Sequence, residues 1–143
     1  MQWITLTAAD LNDYLLAKQM EALRTKALAA GQADPFGPVA VDVVNKVRSY
    51  IASNTANRVS ATPLAIPPEL KIDTCYLIIA PMLGRLGIDL TKDQSEAVAR
   101  AYSTLIGLRD KKLLVSMPDD PVEPDVQPES APGFWGSDEK IPL

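Results

Sequence analysis

Histidine is absent from this 143-residue chain, and with it the commonest general base and a frequent neutral-pH metal ligand. The single cysteine, Cys75, excludes an internal disulfide. Its apolar neighbours should bury the thiol and raise its pKa, so a structural role is expected rather than a nucleophilic one. Asn-x-Ser/Thr sequons are missing. The N-terminus lacks the basic start and apolar run of a secretion signal, and the longest apolar stretch, from Cys75 to Leu83, is far too short to span a bilayer. A soluble protein made in the cytoplasm is the expectation.

The glycines form no phosphate-cradling pattern, because Gly84-Arg-Leu-Gly87 reads as a helix ending. Carboxylates are scattered. Asp89 and Asp93 stand four apart but flank a helix start, where acidic residues favour the helix dipole. Asp119 and Asp120 make at best a weak cation site. No catalytic residue, cofactor site or metal site is therefore expected, and the chain is not read as an enzyme.

What the sequence does have is a sharp internal contrast. Residues 117–143 hold six of the twelve prolines, seven of the eighteen acids and one base, Lys140. Residues 1–116 carry thirteen bases and eleven acids, a balance of +2 against −6 for the remainder. A near-neutral body is poor material for gripping a phosphate backbone, and the acidic segment would be repelled by one. Residues 1–116 are read as a helical body and 117–143 as an extended arm, since proline removes backbone donors and like charges repel.

Four helices are predicted for the body. The first runs from an N-cap at Thr7, with Asp10 three residues on and a Leu6–Leu11 staple, to Ala30, with Gly31 beyond its end. The second starts near Pro38 and repeats Val43, Val44, Val47, Tyr50 and Ile51 at helical spacing. Residues 54–66 read as an exposed polar loop. Pro67-Pro68-Glu69 opens the third helix, apolar nearly all round and therefore central, with Pro81 inside it to kink it. The fourth begins at Thr91, paired with Gln94 as a capping box, and turns Ala97, Val98, Ala101, Leu105 and Leu108 inward. The fold class is all-α: a four-helix bundle with a kinked apolar central helix and an extended C-terminal arm.

Two sets of residues are candidates for contact with partners. Arg24, Lys26, Lys46, Arg48, Arg109, Lys111 and Lys112 are spread over three helices as solvated faces; gathered on one side of an assembly they would meet an acidic partner or line a passage. Phe134 and Trp135 lie far out on the arm with nothing local to bury them. They either fold back on their own bundle or dock in a groove of another chain, and the second reading is preferred because Trp is a frequent interface anchor. Eighteen extended residues from 117 to 134 reach roughly 50–60 Å, at about 3.3 Å each.

Thr7-Ala-Ala-Asp-Leu11, the Ser49-Tyr50-Ile51-Ala52 helix end, Ile66-Pro-Pro-Glu-Leu70 leading to Met82-Leu83, the helix from Thr91 and the closing Gly-Phe-Trp-Gly-Ser-Asp-Glu-Lys-Ile together resemble a known family. They are similar to the small head–tail connector, or adaptor, proteins of tailed bacteriophages, of the Mu-like prophage type. The resemblance implies a virion protein that forms a ring, commonly twelve-fold, beneath the portal. It also implies a DNA channel continued through that ring and a tail-side neck protein seated on it. DNA would pass without specific binding. Phe134 and Trp135, with Ile141 beyond them, would anchor the arm to a neighbour or to the portal. The family's usual connection is less proline-rich and less acidic than residues 118–132 here. The alternative from the residues alone is a monomeric regulatory module that uses its arm as a linear motif.

Overall fold

The computed structural model describes residues 2–29 and 36–122, with only the backbone described for 26–29. The described chain is mostly helical. In order it forms β1 (Ile4–Thr5), a 3-10 helix (Ala8–Tyr14), α1 (Ala17–Ala29), α2 (Phe36–Ala52), β2 (Ala65–Ile66), a 3-10 turn (Pro68–Leu70), α3 (Lys71–Arg85) and α4 (Lys92–Arg109).

α2, α3 and α4 pack against one another in all three pairings, and the first 3-10 helix lies on α3. The apolar register of each helix explains this. Val39, Val44, Val47 and Ile51 of α2 are buried, as are Ala97, Ala101, Leu105 and Leu108 of α4. α3 buries Cys75, Leu77, Ile78, Ile79, Met82 and Leu83, which places it centrally, although Ile72 and Pro81 stay exposed. Fully burying aliphatic side chains of this size contributes about 1.5–3 kcal/mol each. α3 runs through Pro81 without a break.

Its end is fixed by Gly87 at φ 68, where Gly87 N–H bonds Gly84 O and Ile88 N–H bonds Leu83 O. This is a Schellman closure at a position that suits glycine.

The continuous helix expected from Thr7 to Ala30 is not formed. Residues 8–14 wind as a 3-10 helix, Leu15 is extended at φ −105 and ψ 142, and α1 begins anew at Ala17. The start itself matches the expected cap. The Asp10 carboxylate accepts from the Thr7 backbone N–H at 2.7 Å, and Leu6 and Leu11 are both buried. The break follows from side-chain bonds that replace helical ones. Gln19 Oε1 takes the Leu16 N–H, and the Tyr14 carbonyl is taken by Gln94.

A second departure is β1, which pairs antiparallel with β2 through Ile4↔Ile66 and Thr5↔Ala65. The short ribbon ties the N-terminus to the entry of α3 and seats Trp3 and Leu6 in the core.

Candidate partner-docking surface

After α4 the chain turns sharply. Lys111, at φ 65, donates to Leu108 O and Lys112 donates to Gly107 O, a second Schellman closure with lysine where glycine is usual. Residues 113–122 then cross the body as a strap. Asn54 Nδ2 donates to Leu113 O, and Asn57 Oδ1 accepts from Val115 N–H at 3.1 Å. Both oxygens of Glu69 accept from Ser116, one from its N–H at 2.7 Å and one from its hydroxyl at 2.9 Å. Trp3 Nε1 donates to Ser116 O at 3.1 Å, and Pro118 is buried.

The strap ends in a latch. Ala61 N–H donates to Asp120 O, Val122 N–H donates to Val59 O, and Ser60 pairs with Pro121 as an antiparallel bridge. The Asp120 carboxylate accepts from Ser60 Oγ at 2.5 Å and Thr62 Oγ1 at 2.6 Å. Those hydroxyls hold it below its ordinary value of 3.8. Beneath the loop, Arg48 donates to the carbonyls of Ser60, Thr62 and Ala65. Partial burial lowers the Arg48 pKa, while the Asp120 charge acts in the opposite sense. At Glu69, desolvation pushes upward, but the backbone and side-chain hydrogen bonds outweigh it and the net shift is downward.

Two expectations change here. Residues 54–66 are not a simple exposed loop: Asn54, Asn57, Ser60, Ala65 and Ile66 are buried, and the segment forms the bed for the strap. Residues 117–122, the first part of the expected arm, include backbone bonds to the body at Asp120 and Val122 and the bridge at Pro121.

A second polar junction joins α1 to α4. The amides of Gln19 and Gln94 face each other, each nitrogen 2.7 Å from the other's oxygen. Each oxygen also accepts an N–H at the start of its own helix, from Leu16 at 3.0 Å and from Thr91 at 2.9 Å. Each nitrogen donates to a carbonyl two residues before the other helix's cap, Gln19 to Asp89 O and Gln94 to Tyr14 O. The arrangement is a pseudo-two-fold clasp in which every donor and acceptor of two buried amides is used.

The surface also carries an open groove of about 380 Å³ where α2, α3 and α4 meet. Val43 and Lys46 come from α2, Leu77 and Pro81 from α3, Tyr102 and Leu105 from α4. Lys46 Nζ lies 5.2 Å from the centre of the exposed Tyr102 ring. Ile106, one turn along α4 from Tyr102, is exposed as well.

The basic candidates are not brought together by hydrogen bonding or by one element. Arg24 pairs with Glu21 at 2.8 Å and Arg109 with its neighbour Asp110 at 3.2 Å, both on the surface. Lys111 and Lys112 are exposed in the turn after α4, and Lys26 belongs to α1 in the stretch with only backbone described. Arg48 is partly buried and donates to the loop carbonyls of Ser60, Thr62 and Ala65. Phe134, Trp135 and Ile141 lie outside the described residues. Cys75 is buried, and burial pushes its thiol up to about 12. Among the described residues no three Cys, Asp or Glu side chains converge to hold a metal, and no helix is long and apolar enough to cross a membrane.

No family model, no curated protein and no solved structure matches this chain.

Sequence reasoning missed the bonds of Gln19, Trp3 and Glu69 and those of Asp120 with Ser60 and Thr62. Only Gln94 was visible, as a capping residue. The others act across 47 to 113 residues of chain, and no local pattern marks such pairs.

Proposed function

We propose that this chain is a structural assembly subunit, a head–tail connector adaptor of a tailed bacteriophage that forms a ring beneath the portal. In this reading copies of the chain contact one another around the ring, commonly twelve-fold, with the portal above and a tail-side neck protein below. Phage DNA passes through without specific contacts, and the protein resides in the virion neck. The body is read as a four-helix bundle in which α1 is the fourth member, with α3 bent at Pro81.

The observation that carries the proposal is the strap. Residues 113–122 are bonded across the body as far as Val122. In this reading the residues that follow, with the adjacent aromatics Phe134 and Trp135, serve as an arm that starts from that fixed point. The apolar groups left on the surface, including Leu16, Ile72, Tyr102, Ile106 and Leu114, fit a subunit with neighbours. The sequence motifs described above supply the particular family.

Mass measurement of the purified protein, alone and mixed with portal rings, tests the reading. A ring of copies bound to the portal is expected. A permanent monomer that ignores the portal would overturn it and leave the regulatory-module alternative.

A further inference from the structure

We propose that residues 113–122 are an exchangeable strap: released at the turn after α4, the strap of one copy seats on the bed of a second copy of this chain. The inference goes beyond the connector reading and needs no portal, only a second copy. Three features of the fold point to it.

The bed already shows what it binds. Asn57 Oδ1 and both Glu69 oxygens take the N–H and hydroxyl groups of Val115 and Ser116, and Trp3 Nε1 donates to Ser116 O. The 59–62 loop pairs with Asp120 and Val122. These receptors all precede α3, whereas the strap is attached behind α4. A strap from a second copy meets the same groups, so exchange replaces each bond by its equal. Release uncovers little of the strap itself. Val115 and Pro118 are covered, but Leu113, Leu114, Met117 and Val122 are exposed while it is seated.

The attachment is a short, strained hinge. Asp110, Lys111 and Lys112 turn the chain between α4 and the strap, with Lys111 held at φ 65. A side chain in that left-handed conformation crowds its own backbone, which glycine would not. Gly107 is fitted to the same turn, since a Cβ on it would lie 2.9 Å from Leu113 Cδ1. Short hinges under strain favour exchange, because straightening them relieves the strain while the exchanged contacts are kept.

The straightened hinge has a conformation ready. Lysine and leucine are among the better helix formers, so α4 can continue through Lys111, Lys112, Leu113 and Leu114. Pro118 disfavours helix at Met117 and stops it. Continuing from Arg109 to Leu114 lengthens α4 by about 7.5 Å and carries the strap off its own bed. Leu113 then falls seven residues from Ile106 and eleven from Tyr102, both exposed on α4, and extends them into one apolar stripe. Two copies that trade straps have this stripe to bury where they cross.

The test replaces Val122 with photoreactive benzoylphenylalanine in the unlabelled full-length chain. This chain is unfolded together with isotopically heavy wild-type chain, and the mixture is refolded at rising concentration without portal. After illumination, mass spectrometry should find the unlabelled strap joined to heavy peptides containing residues 59–62, in a fraction that grows with concentration and sediments as oligomer. Lys111→Gly in both chains, which suits the closed turn, should lower the heavy adducts roughly five- to tenfold. Gly107→Ala, which obstructs that turn, should raise them roughly twofold or more. Adducts confined to the unlabelled chain at every concentration, heavy adducts outside the bed, or a heavy yield that Lys111→Gly fails to lower would overturn the exchange. Each of these leaves the connector reading standing, since that reading is decided by the mixture with portal rings.

Discussion

Two polar junctions hold this body together, and they are built from opposite materials. The clasp between Gln19 and Gln94 is buried, neutral and reciprocal, each amide serving both helix starts. The latch between Asp120 and the 59–62 loop is exposed and charged, with Arg48 bracing the loop from beneath. The contrast teaches where permanence and reversibility reside. A buried amide that loses its partner is stranded away from water, whereas an exposed carboxylate that lets go is simply hydrated. The clasp fixes α1 to α4, while the latch holds residues 120–122 to the 59–62 loop at the surface.

Breaking the clasp should have the largest effect. Gln94→Leu strands the Gln19 amide, the Tyr14 carbonyl and the Thr91 N–H, and should cost roughly 3–5 kcal/mol in urea unfolding. Replacing both glutamines by leucine should cost less than the sum of the single changes, with a coupling of about 1–3 kcal/mol. Strict additivity would mean that the amides act independently.

Next comes the strap's internal anchor. Trp3→Phe keeps a ring in the core but removes the bond to Ser116 O, and should cost about 1–2 kcal/mol by the same measurement. Lys111→Gly works in the other direction. It relieves a left-handed residue at the strap's entry turn and should stabilise the body by about 1 kcal/mol, raising the melting temperature.

The smallest change in stability, and the sharpest in contrast, is expected from acid. The folded pKa of Asp120 lies below 3.8, so its contribution is complete above that pH and is lost as pH falls through the lowered value. Amide exchange at Ala61 and Val122 should accelerate in that window, while the side-chain amide signals of Gln19 and Gln94 hold their positions. Asp120→Asn should give the accelerated exchange already at neutral pH and flatten its acid dependence. Glu69 shifts in the same direction, so the Ser116 amide should respond in parallel.

Much of the helical body was legible in the sequence, because periodicity is a local property. The inward residues of α2 and α4, the two closures at Thr7 and Gly87 and the central place of α3 all follow from spacing within one segment. What could not be read depends on pairs far apart in the chain. The interruption at Leu15 requires Gln94 to take the Tyr14 carbonyl from 80 residues away. β1 is two residues long, and Ile4-Thr5 becomes a strand only because Ala65-Ile66 lies beside it. Residues 54–66 read as loop because their small polar side chains carry no period, yet those side chains are what the strap binds. Arg48 looked like one of several surface cations until the loop closed over it.

Truncation at two points tests the division between strap and arm most directly. Chains ending at Val122 and at Ser116 would be compared with the full chain by urea unfolding and by sedimentation with portal rings. The account predicts that ending at Val122 leaves the unfolding midpoint unchanged and abolishes association with portal rings. Ending at Ser116 should also lower the midpoint, by removing the Asp120 latch and Pro118. A chain ending at Val122 that still forms rings on the portal, or one ending at Ser116 that is as stable as the full chain, would contradict it.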